Sequence, residues 1–494
     1  MALGAAGVTF VFHLLANPHY GFFRDELYFI ICGRHPQFGY VDQPPVVPLL
    51  AAASQVFGAS LAALRAISAL FAAASVYVTC RLVQEFGGGS FAEVLAAAGV
   101  ALAPILAGFG VLVFPDTVQI WAWPLMTLYV VRMMRGADAR LWLAVGAVLG
   151  LTIETKYSVL FFALALLIGL ALTRQRILAT RWIAAGGALA GVIALPNLLW
   201  QALHGFPMLE LLRNGQLGKN VVLDPLSYVV QQVLITNPPL ALVWICGLIW
   251  TFARPNLRWL GIASVALIAL MVAAHGKTYY GCAIYPALFA AGGTAVEGWT
   301  KRVPMVRAPM LALALISGLV FIPLGVPILS EQQFIAYSAA LTKVLPQPAA
   351  SEHHRQASLP QAYADMHGWP ELAATVARVY DSLPPNERAG VAIKTSNYGE
   401  AAAIDFFGAR YELPATISGH NQYFLWGPRG YTGDVLIDVD GDCGATAHVF
   451  RSAKLAARFS APYVMPYEDD MPIMICRGIK QPLSQLWPKV KSYN

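Results

Sequence analysis

Charge is what this sequence has least of. Asp, Glu, Lys and Arg make up 12% of its 494 residues, whereas 57% are hydrophobic. A soluble domain carries about twice that charged share, so a solvated surface cannot cover the whole chain. Cysteine is sparse too: six residues, scattered, with no CxxC pair, which argues against a zinc site of that kind. No internal repeat or low-complexity stretch is evident, which counts against a transporter built from inverted repeats. The first apolar stretch, Ala2 to Ala16, lacks a basic segment ahead of it, so it reads as a first span with a short start rather than a signal peptide. The net charge of +6 is dispersed between apolar blocks and does not read as a nucleic-acid-binding surface.

What is there is apolar and blocked. The blocks run over 3–16, 59–83, 90–113, 117–134, 140–155, 157–173, 182–200, 228–252, 257–274, 283–299 and 308–329. Stretches of about 17–25 apolar residues cross a bilayer core as helices. None alternates as a strand would, and in lipid only helices or closed barrels satisfy the backbone. The expected fold class is an α-helical polytopic membrane protein of about eleven transmembrane helices with a small C-terminal α/β soluble domain. The expected division is a membrane domain over 1–330, with interfacial helices in its loop 17–58, and a soluble domain over 350–494.

Orientation follows from the loops. Arg132, Arg135 and Arg140 form one basic group, then Arg174, Arg176 and Arg181, then Arg254 and Arg258, then Lys301, Arg302 and Arg307. Such loops face the cytoplasm. The intervening loops and the tail then lie on the outer side of the cytoplasmic membrane. In the tail, Pro346, Pro348, Ser351 and His353 mark a polar linker. Trp369–Leu383 and Tyr398–Phe407 read as helices, and GVAIKT and DVLIDV as strands. Cys443 and Cys476 both fall in the tail, where an oxidising compartment would let them pair; two unpaired thiols are the equal alternative.

The outside loops collect ionisable residues at span ends. Arg24, Asp25 and Glu26 follow the first span, Asp42 sits in GYVDQPPVVPLL and Asp116 in FPDT. Glu154 and Lys156 sit in ETKY; Lys277, Tyr279 and Tyr280 sit in HGKTYYG. Charges at span ends often only anchor in the headgroup region, and Asp116 after Pro115 has the look of a helix cap. Adjacent carboxylates such as Asp25 and Glu26 repel, however, and persist where they are paired or used.

FRDELYF, GYVDQPP, FPDT, TKY and KTYY followed by YPAL, in that order, resemble the bacterial glycosyltransferase family 39 proteins. These are relatives of the protein O-mannosyltransferases and of the lipid A aminoarabinose transferase. NYGEAAAIDFFG and ISGHNQYFLWGP in the tail extend the resemblance over essentially the whole chain. The resemblance implies the GT-C fold, a polyprenyl-phosphate sugar as donor, and an acceptor lipid, glycan or protein at the outer membrane face. It makes Asp25 the catalytic aspartate with Glu26 beside it, and matches Asp42 to the acidic position before the proline pair. Gln43 stands where the aminoarabinose transferase has a lysine, so that donor contact is not carried over.

The chemistry fits these residues. The departing lipid phosphate needs no general acid, unlike the alkoxide a glycosidase expels. One base suffices: Asp25 takes the proton of the acceptor hydroxyl as it attacks the anomeric carbon with inversion. The phosphate gains negative charge, for which Lys156 and Lys277 are the first candidates, with Arg24, Tyr280 and Tyr279 behind them. Asp42 and Asp116 are candidates to orient the acceptor or to hold a divalent cation, with His204 as a further ligand. No cofactor is certain from the sequence, and a divalent cation is a candidate. A flippase or transporter of lipid-linked sugars, a polysaccharide polymerase or ligase, and a non-catalytic scaffold are the alternatives.

Overall fold

The computed structural model describes residues 1–56, 58–346, 349–350, 352–355, 357–444 and 449–494. Pro348 and Ser351, read above as linker, lie outside the described residues. The chain gathers into two compact units. One comprises 1–19, 57–200 and 220–352; the other comprises 20–56, 201–219 and 353–494.

The first unit is helical. Every apolar block forms helix, but two blocks are broken where a proline removes a backbone donor. Block 90–113 splits into Ser90–Leu102 and Pro104–Phe109, with Ala103 extended before Pro104. Block 228–252 splits into Pro225–Ile235 and Pro238–Ala253, which meet at 112°. Asn237, at φ 71°, makes that turn, and Pro238, which has no N–H to donate, opens the second helix. Among the described residues, three helices are long and apolar enough to cross a membrane: Leu61–Phe86, Arg181–Leu203 and Pro304–Leu324; the bent pair would be a fourth. Ala2–Ala16, Ser90–Leu102, Leu141–Ile153, Val159–Leu172 and Arg258–Ala273 are shorter apolar helices. A count of eleven therefore rests on the sequence blocks alone.

Small residues let these helices touch. A Cβ on Gly247 would strike the carbonyl of Leu288, and one on Gly292 the carbonyl of Val243. Pro238–Ala253 and Tyr285–Trp299 thus pack backbone to backbone, the usual device where apolar burial gives no net drive between helices. Arg65, the charge inside the second block, is fully buried. Its Nη1 donates to the carbonyl oxygens of Asn17 (2.7 Å) and His19 (3.3 Å), satisfying the chain as it leaves Ala2–Ala16.

The second unit is α/β. Its sheet comprises β1 (Ala392–Thr395), β2 (Ile417–Ser418), β3 (Val435–Val439), β4 (Phe450–Phe459) and β5 (Met471–Ile479), in the order β2-β1-β3-β5-β4. β1 runs parallel to β2 and β3; β3–β5 and β5–β4 are antiparallel. Helices Trp369–Asp381 and Tyr398–Phe407 belong to this unit, as do Arg24–Arg34 and Val46–Ser54 from the first loop. Cys443 and Cys476 form a disulfide.

Candidate active site

Helix Arg24–Arg34 sets the first group of carboxylates. Phe23 is extended, and its N–H donates to Glu26 Oε2 at 2.9 Å, so Glu26 closes the helix start. Glu26 is fully buried and carries this backbone role. Acidic residues in a first turn also favour the helix dipole, which explains why two adjacent carboxylates are tolerated here.

Asp25 points elsewhere. Its Oδ1 accepts a hydrogen bond from the Tyr398 hydroxyl at 2.8 Å, and Arg24 Nε lies 3.6 Å from the same oxygen. Among the described residues no partner meets Oδ2, and the side chain is 19% exposed. One oxygen is therefore fixed and the other is open. Arg24 itself is engaged by the protein: Nη1 donates to the Tyr467 hydroxyl at 3.0 Å and Nη2 lies 3.6 Å from Asp365 Oδ2. Its backbone N–H donates to the Asp365 carbonyl oxygen at 3.0 Å.

Asp42 is held at both ends. Tyr28 donates to Oδ1 at 2.9 Å and Asn421 Nδ2 to Oδ2 at 3.3 Å. Burial pushes its carboxyl up to about 7; the hydrogen bond from Tyr28 opposes that rise, while the charge of Asp25 adds to it. Tyr28 lies three residues after Asp25, on the same helix face, and its ring packs 4.6 Å from that of Tyr398. Two tyrosines in contact thus hold the two carboxylates. The sequence reading passed over Tyr28, Tyr398 and Asn421, although all three sit inside the quoted motifs.

The helical unit holds the second group. Asp116, in the first turn of Pro115–Met134, is buried and meets Lys156 Nζ at 2.6 Å. The ammonium lies 3.8 Å from the ring centre of Tyr280, 5.3 Å from Tyr279 and 5.7 Å from Phe114. This is an aromatic cage closed on one side by a carboxylate. Lys277 Nζ pairs with Glu352 at 2.5 Å. Asp116, Lys156, Tyr279 and Tyr280 thus come together in one unit, and Arg24, Asp25, Glu26 and Asp42 in the other.

For a metal, among the described residues three ligand atoms gather within 4.8 Å only at Asp438, Cys443 and Cys476. The two sulfurs there are joined to each other, and Asp438 is taken by Lys394 at 2.7 Å. Asp42, Asp116 and His204 form no such group; His204 is exposed.

Two crystal structures of ArnT from Cupriavidus metallidurans, one bound to undecaprenyl phosphate and one in the apo state, superpose on the chain with TM-scores of 0.63. Each covers 95% of this chain and 97% of ArnT, at 13% and 14% sequence identity. The chain has the GT-C fold. The family described as dolichyl-phosphate-mannose-protein mannosyltransferase matches residues 42–200. The lipid A galacturonosyltransferase RgtD of Rhizobium johnstonii is 27% identical over 185 residues, which cover 37% of this chain and 39% of RgtD. The resemblance read from the ordered motifs is borne out as a similarity: the chain is similar to that mannosyltransferase family over residues 42–200 and to RgtD over 185 residues, and it shares the fold of ArnT.

Proposed function

We propose that the chain is an inverting glycosyltransferase that moves a sugar from a polyprenyl-phosphate donor to an acceptor at the outer face of the cytoplasmic membrane. The observation that carries this is Asp25: a carboxylate with one oxygen fixed by Tyr398 and the other open, in the FRDELYF motif whose resemblance to family 39 implies the catalytic aspartate. ArnT with undecaprenyl phosphate bound supports a lipid-phosphate donor, and RgtD supports a lipid acceptor among the lipid, glycan and protein choices.

In the step, Asp25 Oδ2 takes the proton of the acceptor hydroxyl. The freed oxygen bonds to the anomeric carbon from the face opposite the phosphate. The bond from that carbon to the phosphate oxygen breaks, and its electron pair leaves with the polyprenyl phosphate. A positioned base contributes about 10²–10⁴-fold. Lys156 and Lys277 meet the charge gained by the phosphate, with Tyr279 and Tyr280 lining the approach. Both lysines already face carboxylates, Asp116 and Glu352, so a phosphate would exchange one anion for another rather than fill a bare cationic site. Arg24, bound to Asp365 and Tyr467, supports Asp25 rather than the donor. Asp42, with both oxygens occupied, orients this group and does not compete as the base.

Among the described residues, the helix breaks at Ala103 and Asn237 are a feature shared with secondary transporters, whose helices are discontinuous at the binding site; a carrier of lipid-linked sugars is the second reading. The test separates the two. Purified protein is incubated with radiolabelled polyprenyl-phosphate sugar and lipid, glycan or peptide acceptors. Label moving onto an acceptor in detergent is expected; label that only crosses a vesicle membrane, unchanged, would mean a carrier.

A further inference from the structure

We infer that Tyr398, a residue of the C-terminal part of the chain, is a positioning residue for the transfer reaction. It aligns Asp25 so that Oδ2 alone faces the acceptor. This rests on the assignment of Asp25 as the base.

Tyr398 is held more firmly than a surface tyrosine would need. It opens helix Tyr398–Phe407, whose start is capped by Asn397: its Oδ1 accepts from the N–H groups of Gly399 (2.8 Å) and Glu400 (3.0 Å). The Tyr398 N–H points to His420 Nδ1 at 3.4 Å, while His420 Nε2 meets the Asn494 carbonyl oxygen at 3.2 Å. That pattern requires a neutral imidazole with its proton on Nε2, and burial pushes His420 down to about 4, which keeps it neutral. The ring is packed between Tyr28 at 4.6 Å and His420 at 4.9 Å, with the Arg24 guanidinium 5.4 Å from its centre. Gly399 leaves room for that arginine, since a Cβ there would meet its side chain. A hydroxyl so fixed can set the rotamer of Asp25.

The donated hydrogen bond and the Arg24 charge fall on one oxygen. A carboxylate offers about four lone-pair directions over two oxygens; loading Oδ1 leaves Oδ2 as the basic atom presented to substrate. The charged groups acting on Asp25 are Arg24 and Asp42, and the Tyr398 hydroxyl completes its surroundings. Without the hydroxyl, Asp25 keeps its charge but loses its aim, and a misplacement of about 1 Å can cost about 10²-fold.

The test is Tyr398→Phe, which keeps the ring and its packing, assayed beside Asp25→Asn and the double variant. Expected are a kcat lower by about 10–100-fold, a KM for donor unchanged, and no further loss when Tyr398→Phe is added to Asp25→Asn. Wild-type kcat in Tyr398→Phe with Asp25→Asn inactive would overturn the role of Tyr398 and leave the proposed function standing. Normal turnover in Asp25→Asn would overturn both. If Tyr398→Phe also unfolds earlier, kcat and donor KM per folded molecule, taken at a temperature where both proteins are folded, decide. A lower kcat with unchanged KM supports the positioning role, and a wild-type kcat overturns it.

Discussion

Replacing Lys156 by Met separates two roles that the structure superimposes on one side chain. The ammonium lies 2.6 Å from Asp116 Oδ2, and the Asp116 side chain is 4% exposed. At that spacing the pair attracts by about 6 kcal/mol at an effective dielectric near 20. Desolvation offsets much of it, and removing one partner of such a pair costs about 3–5 kcal/mol, chiefly by leaving the other charge buried and alone. The Tyr280 ring 3.8 Å from Nζ adds about 1 kcal/mol of cation–π attraction. Lys156→Met should therefore unfold markedly earlier in detergent. Lys156→Met combined with Asp116→Asn removes both charges and should regain most of the loss. Binding of the polyprenyl phosphate, by calorimetry or fluorescence, should behave otherwise. A charge-assisted contact of about 1.5–3 kcal/mol is gone in both variants, so both should bind about 10–100-fold more weakly. If the double variant binds donor as wild type does, Lys156 is only the counter-ion of Asp116, and its phosphate role is refuted.

Three further outcomes are expected. The Cys443–Cys476 bridge joins residues 33 apart; Cys443→Ser should cost about 4 kcal/mol by the loop-entropy relation, seen as earlier proteolysis of the C-terminal residues. Asp42, at about 7 when folded against 3.8 ordinarily, binds a proton more tightly in the folded protein. Its contribution to stability is therefore full at acid pH, is lost between about pH 4 and pH 7, and then levels off; Asp42→Asn should remove that slope from a melting-temperature profile. Gly247→Val should cost several kcal/mol by forcing two helices apart, in the upper range for overpacked cores of about 1–3 or more. Gly187→Val, with nothing near its Cβ, should cost far less in the same melts.

Much of the site was legible because its carboxylates and lysines stand in short ordered motifs whose chemistry is local. Helix Tyr398–Phe407 and strands β1 and β3 were legible as well, since continuous apolar runs declare buried elements. β4 was not, because Arg451, Lys454 and Arg458 charge an exposed edge strand and mask its pattern. The breaks at Ala103 and Asn237 were hidden because blocks of apolar residues do not register the donor a proline removes. The role of Arg65 was not legible, because its acceptors lie 48 and 46 residues away in the sequence. The bond from Tyr398 to Asp25 spans 373 positions, a distance over which one sequence carries no pairing signal.

The central claim is that Asp25 is the base of a sugar transfer from a lipid phosphate. The most direct measurement is turnover of polyprenyl-phosphate sugar by purified Asp25→Asn, with its melting temperature and donor affinity taken on the same sample. The account expects transfer to fall by at least about 10²-fold while folding and donor binding stay at wild-type values. Transfer at the wild-type rate in that variant would contradict it.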